Sequence, residues 1–310
     1  MANLAAIDCG TLSTRLLVSA SDGTTIVRRT QITGLGQGVD RCGLLEPEAV
    51  GRVLGVLRDY REIMDQLGVV AARLVGTSAL RDAANRALFS QPAADIVGAP
   101  LELLAGAEEA RLSFLGATAE LAPGDGPWLV ADIGGGSTEL VAGPSPSGAV
   151  SLDLGCVRVT ERFLAHDPPA PAELATARSW LSAQFAQAEA SVPALHEAST
   201  LVGLAGTVSA LACFDQGLVT YDRGAVHHYR LSRPAVERAL SQLAPEPAAR
   251  RSGLPGIEAA RAPFIVAGAL VLETLMAHFG FDECLASESD ILDGLVLGLT
   301  SVFRAAGPAG

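Results

Sequence analysis

The stretch Trp128–Glu139 reads WLVADIGGGSTE, and it decides the fold prediction. An apolar strand ends in Asp132 and is followed by three glycines and two hydroxyl residues, which are Gly134, Gly135, Gly136, Ser137 and Thr138. Glycines leave no side chain between the backbone and a ligand, so consecutive N–H groups can converge on an anion. An aspartate at the end of a strand can hold a divalent metal ion. The stretch therefore predicts a phosphate-binding loop, and a plain hairpin turn is the alternative.

The N-terminus repeats this pattern. Leu4–Asp8 is an apolar strand that continues into Cys9-Gly10-Thr11, and each of the two loops leads into a second strand. Asp8 takes the position of Asp132, so it is also a candidate metal ligand. We therefore predict an α/β fold with two copies of one unit and a cleft between them, although the D-x-G pattern also occurs by chance.

Local patterns add further elements and a domain boundary. Apolar residues from Val50 to Leu67 follow helical spacing, and a second helix is predicted over Arg81–Phe89. Ala122–Pro127 has the composition of a linker. The predicted domains are 1–121 and 122–310, and the last helix, about 291–304, can pack back on the first domain.

The composition excludes several functions. The chain has 310 residues and a formal charge of −12, and all 22 of its cationic side chains are arginines. Without lysine there is no phosphate-loop lysine, no kinase-type lysine and no Schiff base. The acidic balance predicts no nucleic-acid partner, and the lack of a long apolar span predicts no membrane partner. Five scattered cysteines and a start without a basic region predict a cytoplasmic protein.

Two adjacent acids, Glu108 and Glu109, follow Gly106 at a predicted helix start. Acids in a first helical turn are normally surface residues that the helix dipole favours. Two of them just before the linker are less ordinary, and a carboxylate near phosphates can orient or deprotonate a water for attack on phosphorus. Both interpretations stay open on the residues alone.

Two arginines are candidates for anion binding. Arg81 follows Gly76-Thr77-Ser78, where a helix N-terminus and a guanidinium can grip a phosphate. The alternative for Arg81 is a surface ion pair with Asp82 or Asp65. Arg15 is either an anion ligand or a solvated strand residue.

Two other segments give weaker signals. Gly203–Thr207 has the pattern of a strand, a turn and a helix start built from small residues, which lies against a ligand or permits close packing. His227 and His228 are adjacent, so in an extended segment their side chains would point to opposite faces. That arrangement disfavours a metal site on the pair.

Six segments carry motifs in one order along nearly the whole chain, and they are Asp8–Arg15, Gly76–Asn85, Gly106–Leu112, Asp132–Leu140, Gly203–Thr207 and Ser289–Gly294. Together they resemble the exopolyphosphatase/guanosine-pentaphosphate phosphohydrolase (Ppx/GppA) family, which belongs to the superfamily of actin, sugar kinases and heat-shock chaperones. The resemblance implies two ribonuclease-H-like (actin-like ATPase) domains with the active site between them. It also implies a homodimer and Mg²⁺-dependent release of terminal phosphate from inorganic polyphosphate.

The resemblance further implies roles for single residues. Glu109 would be the catalytic base, and Asp132 would hold Mg²⁺ with Glu139 nearby. The phosphates would be cradled by Gly134, Gly135, Gly136, Ser137, Gly206 and Thr207, with Ser13, Ser78 and Arg81 on the opposite wall.

Two departures from the family pattern bear on substrate choice. Leu12 stands where the family commonly has Asn, which removes one polar contact from the first loop. Gly34 stands where the family often has Arg, which removes a cationic ligand. The chain resembles the short two-domain members, and this predicts a preference for short polyphosphate chains.

Three other functions stay open. Hydrolysis of guanosine pentaphosphate (pppGpp) belongs to the same family, and the motifs cannot separate it from polyphosphate hydrolysis. A kinase of the superfamily would transfer phosphate from ATP to a small acceptor, which an acid suited to activating water disfavours. A non-catalytic sensor of polyphosphate or nucleotide is disfavoured by the intact Glu109 and Asp132.

Overall fold

The computed structural model describes residues 2–306 of the chain. Met1 of the first predicted domain and residues 307–310 of the second predicted domain lie outside the described residues. The chain divides into two compact units. Unit 1 holds the residues up to Gly116 and the chain from Ile291 onward, and unit 2 holds Ala117–Asp290. The boundary therefore lies a few residues before the predicted linker.

Unit 1 is built on a five-stranded sheet. Its elements before the boundary are β1 (Asn3–Cys9), β2 (Ser13–Ala20), β3 (Thr25–Ile32), α1 (Val39–Cys42), α2 (Pro47–Gln66), β4 (Val69–Gly76), α3 (Ser78–Asp82), α4 (Ala87–Val97), β5 (Leu101–Leu103) and α5 (Gly106–Thr118). The strand order is β3-β2-β1-β4-β5. The strands β1, β2 and β3 pair antiparallel, whereas β1, β4 and β5 pair parallel.

Residues of β1 alternate between the two faces of this sheet. Ala5, Ile7 and Cys9 pack into one core with α2 and α4. Ala6 packs on the other face with residues of α5 and of the C-terminal helix. Because successive strand residues point to opposite faces, a strand covered on both sides needs consecutive apolar residues, which β1 has from Leu4 to Ile7.

The helix predicted over Arg81–Phe89 is wrong. In the structure α3 ends at Asp82 and α4 begins at Ala87. In the break between them, the Asn85 amide accepts from the Leu45 N–H (2.8 Å) and donates to the Leu45 carbonyl (3.0 Å). This bridge satisfies the main chain of a distant segment and holds Asn85 outside a helix.

Unit 2 is built on a six-stranded sheet. Its elements are β6 (Trp128–Ile133), β7 (Thr138–Gly143), β8 (Gly148–Leu152), α6 (Cys156–Phe163), α7 (Pro171–Ser191), β9 (Thr200–Leu204), α8 (Ala205–Gln216), α9 (Arg223–Val226), β10 (Arg230–Ser232), α10 (Arg233–Leu243), α11 (Ala248–Arg251), α12 (Ile265–Phe279) and β11 (Glu283–Ala286), with short 3-10 turns at Pro123–Asp125 and Pro193–Glu197. The strand order is β10-β11-β9-β6-β7-β8.

The second sheet repeats the first. In β8-β7-β6-β9-β11 the first three strands pair antiparallel and the last three pair parallel, as in β3-β2-β1-β4-β5. The buried faces of its helices form a core with this sheet, and nearly every residue of α12 is buried. The repeated order is that of a ribonuclease-H-like sheet, which confirms the predicted α/β fold with two such domains.

The C-terminal helix, α13 (Ile291–Ala306), packs against strands of unit 1. Its buried apolar side chains recur at helical spacing and are Ile291, Leu292, Leu295 and Val296. They share a core with Ala6, Leu17 and Val75. None of the helices within residues 2–306 has the length and apolar character of a membrane span.

Candidate active site

The second loop, Gly134–Ser137 between β6 and β7, has its carbonyl groups turned toward α6. Main-chain N–H groups at the start of α6 donate to the Gly134 and Gly135 carbonyls at 2.9 to 3.2 Å. The Gly136 carbonyl accepts from Nε of Arg158 at 2.8 Å, and Arg158 is only 9% exposed. All three glycine carbonyls are thus occupied from one side.

The N–H groups of the second loop point the other way. In a trans peptide, each N–H points away from the carbonyl of the preceding residue. Those of Gly135, Gly136 and Ser137 have no hydrogen-bond acceptor within residues 2–306. The close approach of α6 depends on Gly155, because a Cβ there would lie 2.5 Å from the carbonyl carbon of Gly135. Three such donors in a row form an anion-binding concavity.

Asp132 and Glu139 flank the second loop on the two neighbouring strands. They are directly opposite in the antiparallel β6–β7 register, so their side chains share one face of the sheet. Both are buried, and the Ser151 hydroxyl donates to Oε1 of Glu139 at 2.7 Å. Facing carboxylates repel each other when buried, and their oxygens are ligands that Mg²⁺ prefers. This donor set fits a Mg²⁺ site.

The turn from β9 to α8 adjoins the second loop, because β9 pairs parallel with β6 and Leu204 is opposite Asp132. Ala205 opens α8 with a φ of 69°, a left-handed conformation that non-glycine residues rarely adopt. Thr207 is buried, and its hydroxyl would lie 2.5 Å from a Cβ at Gly268. The Thr207 side chain is therefore packed inside unit 2, and its main-chain N–H is the group suited to a ligand at this turn.

Arg261 brings a buried cation to the same turn. It is 9% exposed, and its guanidinium occupies the space that a side chain at Gly206 would need. Within residues 2–306 its side chain has no carboxylate partner and no hydrogen bond. Burial raises the pKa of the nearby Cys156 thiol, and the charge of Arg261 acts in the opposite direction. A buried guanidinium without a counter-charge indicates a position for an anion.

The first loop, Gly10–Leu12 between β1 and β2, is held in a similar way. The Thr11 carbonyl accepts from the Gly36 N–H (2.8 Å), and the Leu12 carbonyl accepts from the N–H groups of Thr33 and Gly34 (2.8 and 2.9 Å). The Leu12 N–H therefore points away from this segment and has no acceptor within residues 2–306. The buried Thr11 hydroxyl also lacks a partner there.

Asp8 stands where Asp132 does, but its cross-strand partner is Arg15. Nε and Nη2 of Arg15 both donate to Oδ2 of Asp8, at 3.0 and 2.7 Å. The two side chains are 14% and 3% exposed. A carboxylate that a guanidinium neutralises is a poor ligand for a second cation, so the geometry favours a neutralising role for Arg15 over a metal site at Asp8.

Glu109 and Arg81 form an ion pair inside unit 1. Nη1 of Arg81 donates to Oε2 of Glu109 (2.5 Å) and to the Leu104 carbonyl (2.9 Å). The Glu109 side chain is 10% exposed. Asp65, one of the surface partners considered for Arg81, pairs with Arg61 instead. Arg81 therefore fixes one oxygen of the predicted base.

The neighbouring acid, Glu108, is a surface residue. Its side chain is 40% exposed, and its carboxylate accepts from Nε and Nη2 of Arg111, both at 2.8 Å. These hydrogen bonds lower the pKa of Glu108. The structure thus separates two acids that the sequence left together.

The carboxyl ends of three parallel strands bring the predicted residues of unit 1 together. The first loop follows β1, Ser78 begins α3 just after β4, and Glu109 lies in the first turn of α5 after β5. Ser13 is the first residue of β2. A Cβ at Gly10 would lie 3.9 Å from Oγ1 of Thr77, so the first loop and the β4–α3 turn are adjacent. Ligands of open α/β sheets bind at this edge.

Comparison with known proteins assigns the family. The family model described as the Ppx/GppA phosphatase family matches residues 17–302. The chain belongs to this family. It is therefore a phosphatase, and the resemblance found in the sequence is confirmed.

Relatives match this Ppx/GppA phosphatase along most of its length. It is 40% identical over 316 aligned residues to exopolyphosphatase 2 of Mycobacterium tuberculosis, covering 96% of this chain and 99% of that protein. The crystal structure of an exopolyphosphatase-like protein has a TM-score of 0.92 at 33% identity, covering 97% of this chain and 99% of that one. The guanosine-5'-triphosphate,3'-diphosphate pyrophosphatase of Vibrio vulnificus is 35% identical over 217 residues, covering 67% of this chain and 42% of that protein.

Two residues of this phosphatase lie at the site although the sequence did not indicate them. Arg158 and Arg261 fall outside the six motifs. Only the packing of α6 brings Arg158 to Gly136, and only the packing of the segment before α12 brings Arg261 to Gly206. Gly155 offers the one local signal, because a glycine directly before an apolar helix start suggests a close backbone approach.

The histidine pair also differs from the prediction. His228 has a φ of 64°, so the segment is not extended, and the rings of His227 and His228 stack with centroids 3.8 Å apart. With Glu120 they form the one three-ligand cluster among the described residues. Nδ1 of His227 accepts from the Glu288 N–H (3.0 Å), which leaves the proton on Nε2 facing Glu120 (2.9 Å). Metal-bound histidines donate from their second nitrogen, so this cluster does not fit a metal ion.

Proposed function

We propose that this phosphatase is an exopolyphosphatase that removes the terminal phosphate from inorganic polyphosphate. The observation that carries the proposal is the second loop. Its N–H groups at Gly135, Gly136 and Ser137 have no acceptor in the described part of the chain, and they adjoin the facing carboxylates Asp132 and Glu139. The N–H groups suit an anion, and the carboxylates suit Mg²⁺. A chain with a net charge of −12 needs such a local site to hold a polyanion. The name of the M. tuberculosis relative supports the same activity.

The residues of unit 2 hold the phosphate. The N–H groups of the second loop, together with the main chain at Gly206 and Thr207, donate to the non-bridging oxygens of the terminal phosphate. Asp132 and Glu139 would hold Mg²⁺, which when bound supplies Lewis-acid stabilisation of the charge on the transferred phosphoryl group. Arg261 adds a fixed cation at the same turn.

The residues of unit 1 prepare the water. Glu109 accepts a proton from the attacking water as the new oxygen–phosphorus bond forms and the bond to the remaining chain breaks. Arg81 fixes Oε2 of Glu109, so the carboxylate is oriented before the reaction. Ser13 and Ser78 would supply hydroxyl donors to phosphate oxygens.

Replacing the base tests the proposal most directly. We expect Glu109→Gln to lower kcat for phosphate release from polyphosphate by about 10²- to 10⁴-fold, because an amide cannot take the proton from water. The matched control is Glu108→Gln, whose exposed side chain pairs with Arg111 and should matter little. Phosphate release with Mg²⁺ gives the measurement. Equal activity of the two variants would remove Glu109 from the mechanism.

Hydrolysis of pppGpp is the second candidate, and the V. vulnificus relative favours it. Both substrates end in a phosphoric anhydride, so the second loop and the carboxylate pair serve either. Initial rates with short polyphosphate, long polyphosphate and pppGpp at equal Mg²⁺ decide between them. We expect short polyphosphate to give the highest kcat/KM.

We also propose a cytoplasmic location and a homodimer. All five cysteines are free thiols and four of them are buried, which suits a reducing compartment. The homodimer rests on the family resemblance, and light scattering of the purified protein tests it.

A further inference from the structure

Arg158, in the first turn of α6, brings a charged donor to a carbonyl group of the second loop. Its Nε donates to the Gly136 carbonyl at 2.8 Å, and the residue is buried. Hydrogen bonds from an ionised donor are stronger than those between neutral groups, and burial limits the screening of the charge by water. The Gly136 carbonyl is therefore strongly polarised.

The other two glycine carbonyls of the second loop accept from neutral groups. The Cys156 N–H donates to the Gly134 carbonyl at 3.0 Å, and the N–H groups of Val157 and Arg158 donate to the Gly135 carbonyl at 2.9 and 3.2 Å. These main-chain N–H groups at a helix start carry only partial charges. Among residues 2–306, the carbonyl at position 136 is thus the one of the three with an ionised donor.

The Gly136 carbonyl and the Ser137 N–H belong to one peptide group. This peptide is trans, so its N–H points away from the carbonyl oxygen that Arg158 contacts. The Ser137 N–H has no acceptor in the part of the chain that the structure describes. Hydrogen bonds in a chain polarise one another, so a charged donor on the carbonyl makes the N–H of the same peptide a stronger donor.

We infer that Arg158 is a positioning residue of the active site, which acts on the bound phosphate through the Gly136–Ser137 peptide. The inference rests on the proposed function, because it takes the terminal phosphate to be bound by the N–H groups of the second loop. The charge of Arg158 makes the Ser137 N–H the strongest of the three donors. Oriented donors of this kind stabilise the negative charge on phosphoryl oxygens in the bound state and in the transition state.

Three variants separate the charge of Arg158 from its packing. Arg158→Gln removes the charge, and Arg158→Lys keeps it. The control Arg162→Gln removes the same charge one turn further along α6, from an exposed side chain that lies over the ring of Trp180. Thermal unfolding of each variant checks that its fold is intact.

The first measurement is the NMR resonance of each second-loop amide in ¹⁵N-labelled protein without substrate. We expect Arg158→Gln to move the Ser137 amide proton upfield, because its peptide loses the polarising charge. The amide protons of Gly135 and Gly136 should stay near their wild-type positions, because main-chain N–H groups of α6 still occupy the carbonyls of their peptides. Arg158→Lys should leave the Ser137 resonance closer to that of the wild type.

The second measurement is calorimetric titration with inorganic orthophosphate and Mg²⁺, together with the rate of phosphate release from polyphosphate. We expect Arg158→Gln to lower orthophosphate affinity and kcat/KM by about 10-fold each, which is less than the loss of a whole donor from an oxyanion site. Arg158→Lys should recover part of both losses. Arg162→Gln should match the wild type in both measurements.

Equal shifts of all three amides would show that the second loop had moved as a whole, and they would overturn the inference. An unshifted Ser137 resonance in Arg158→Gln, or wild-type orthophosphate affinity in that variant, would overturn it as well. If Arg158→Gln does not fold, the wild type alone decides. Its Ser137 amide proton should then lie further downfield of its residue-type average than those of Gly135 and Gly136, and the opposite order would contradict the inference. If the wild type releases no phosphate from polyphosphate, the proposed function fails, while the amide resonances and the orthophosphate titration still decide the role of Arg158.

Discussion

The two loops share one design but differ in the residue that faces their aspartate. In each loop, N–H groups of a later segment occupy the carbonyls, so the loop's own N–H groups point away from that segment. Seven residues after the aspartate, on the neighbouring strand, the first unit has Arg15 and the second has Glu139. One substitution of charge therefore separates an internal ion pair from a pair of facing carboxylates.

This difference predicts different functions for the two loops. Asp8 faces Arg15 across the β1–β2 register within hydrogen-bond distance, whereas Asp132 faces a second carboxylate, Glu139, across the β6–β7 register. A cation gains most at the second position and little at the first. We therefore expect Mg²⁺ to bind at the second loop only, with the first loop reserved for phosphate.

The largest effect should come from neutralising the two aspartates in turn. We expect Asp132→Asn to lower kcat/KM for polyphosphate by about 10²-fold or more, because it removes a proposed Mg²⁺ ligand. Asp8→Asn should lower Tm with and without Mg²⁺, because it leaves Arg15 without its buried partner.

Thermal unfolding across a Mg²⁺ series measures both variants. A ligand that binds the folded state raises Tm, so the wild type and Asp8→Asn should gain stability with Mg²⁺ while Asp132→Asn should not. The same Mg²⁺-dependent rise in Tm in all three proteins would contradict the predicted difference in Mg²⁺ binding between the two loops.

The sequence predicts the fold better than the details of the site. Two apolar strands that each end in D-x-G identify the repeat, and the sheet orders agree with it. Glu108 and Glu109 show where prediction from the sequence ends. They are adjacent in the chain, and only the packing of α5 turns Glu109 toward Arg81 while Glu108 stays at the surface with Arg111.

Long-range contacts explain what the sequence could not predict. Arg158 contacts Gly136 and Arg261 lies against Gly206, and both arginines come from segments without a motif of their own. His228 takes a left-handed conformation that adjacency in the sequence does not reveal, so the two imidazoles stack instead of diverging. Burial lowers the pKa of His228, which also depends on packing.

A smaller effect should follow from adding a methyl group behind each loop. Gly155→Ala places a Cβ 2.5 Å from the Gly135 carbonyl carbon. This is a main-chain atom, so no side-chain rotation can relieve the clash. We expect kcat/KM to fall by about 10- to 100-fold, because the three N–H donors must shift. Gly36→Ala places a Cβ 2.5 Å from Cγ2 of Thr11, which is a side-chain atom. The loss of kcat/KM in Gly36→Ala should therefore be smaller than in Gly155→Ala.

The second substitution also allows a rescue. Thr11→Ser removes Cγ2, so the Gly36→Ala/Thr11→Ser double variant should recover part of the lost activity and Tm, although the Cβ of Ala79 at 2.8 Å limits the recovery. No side-chain change can relieve Gly155→Ala. Steady-state kinetics on the single and double variants provide the test, and a milder effect of Gly155→Ala than of Gly36→Ala would contradict the account of both loops.

The smallest effect should appear when both members of the Asp8–Arg15 pair are removed. Breaking a buried ion pair from one side leaves an uncompensated charge, whereas removing both charges leaves none. The Asp8→Asn/Arg15→Gln double variant should therefore be more stable than Asp8→Asn alone, with a coupling of about 1–3 kcal/mol in the double-mutant cycle. Urea unfolding of the four proteins measures this coupling. If Arg15 also binds substrate phosphate, the double variant will fold well but show a higher KM than the wild type, whereas an unchanged KM would limit Arg15 to neutralising Asp8.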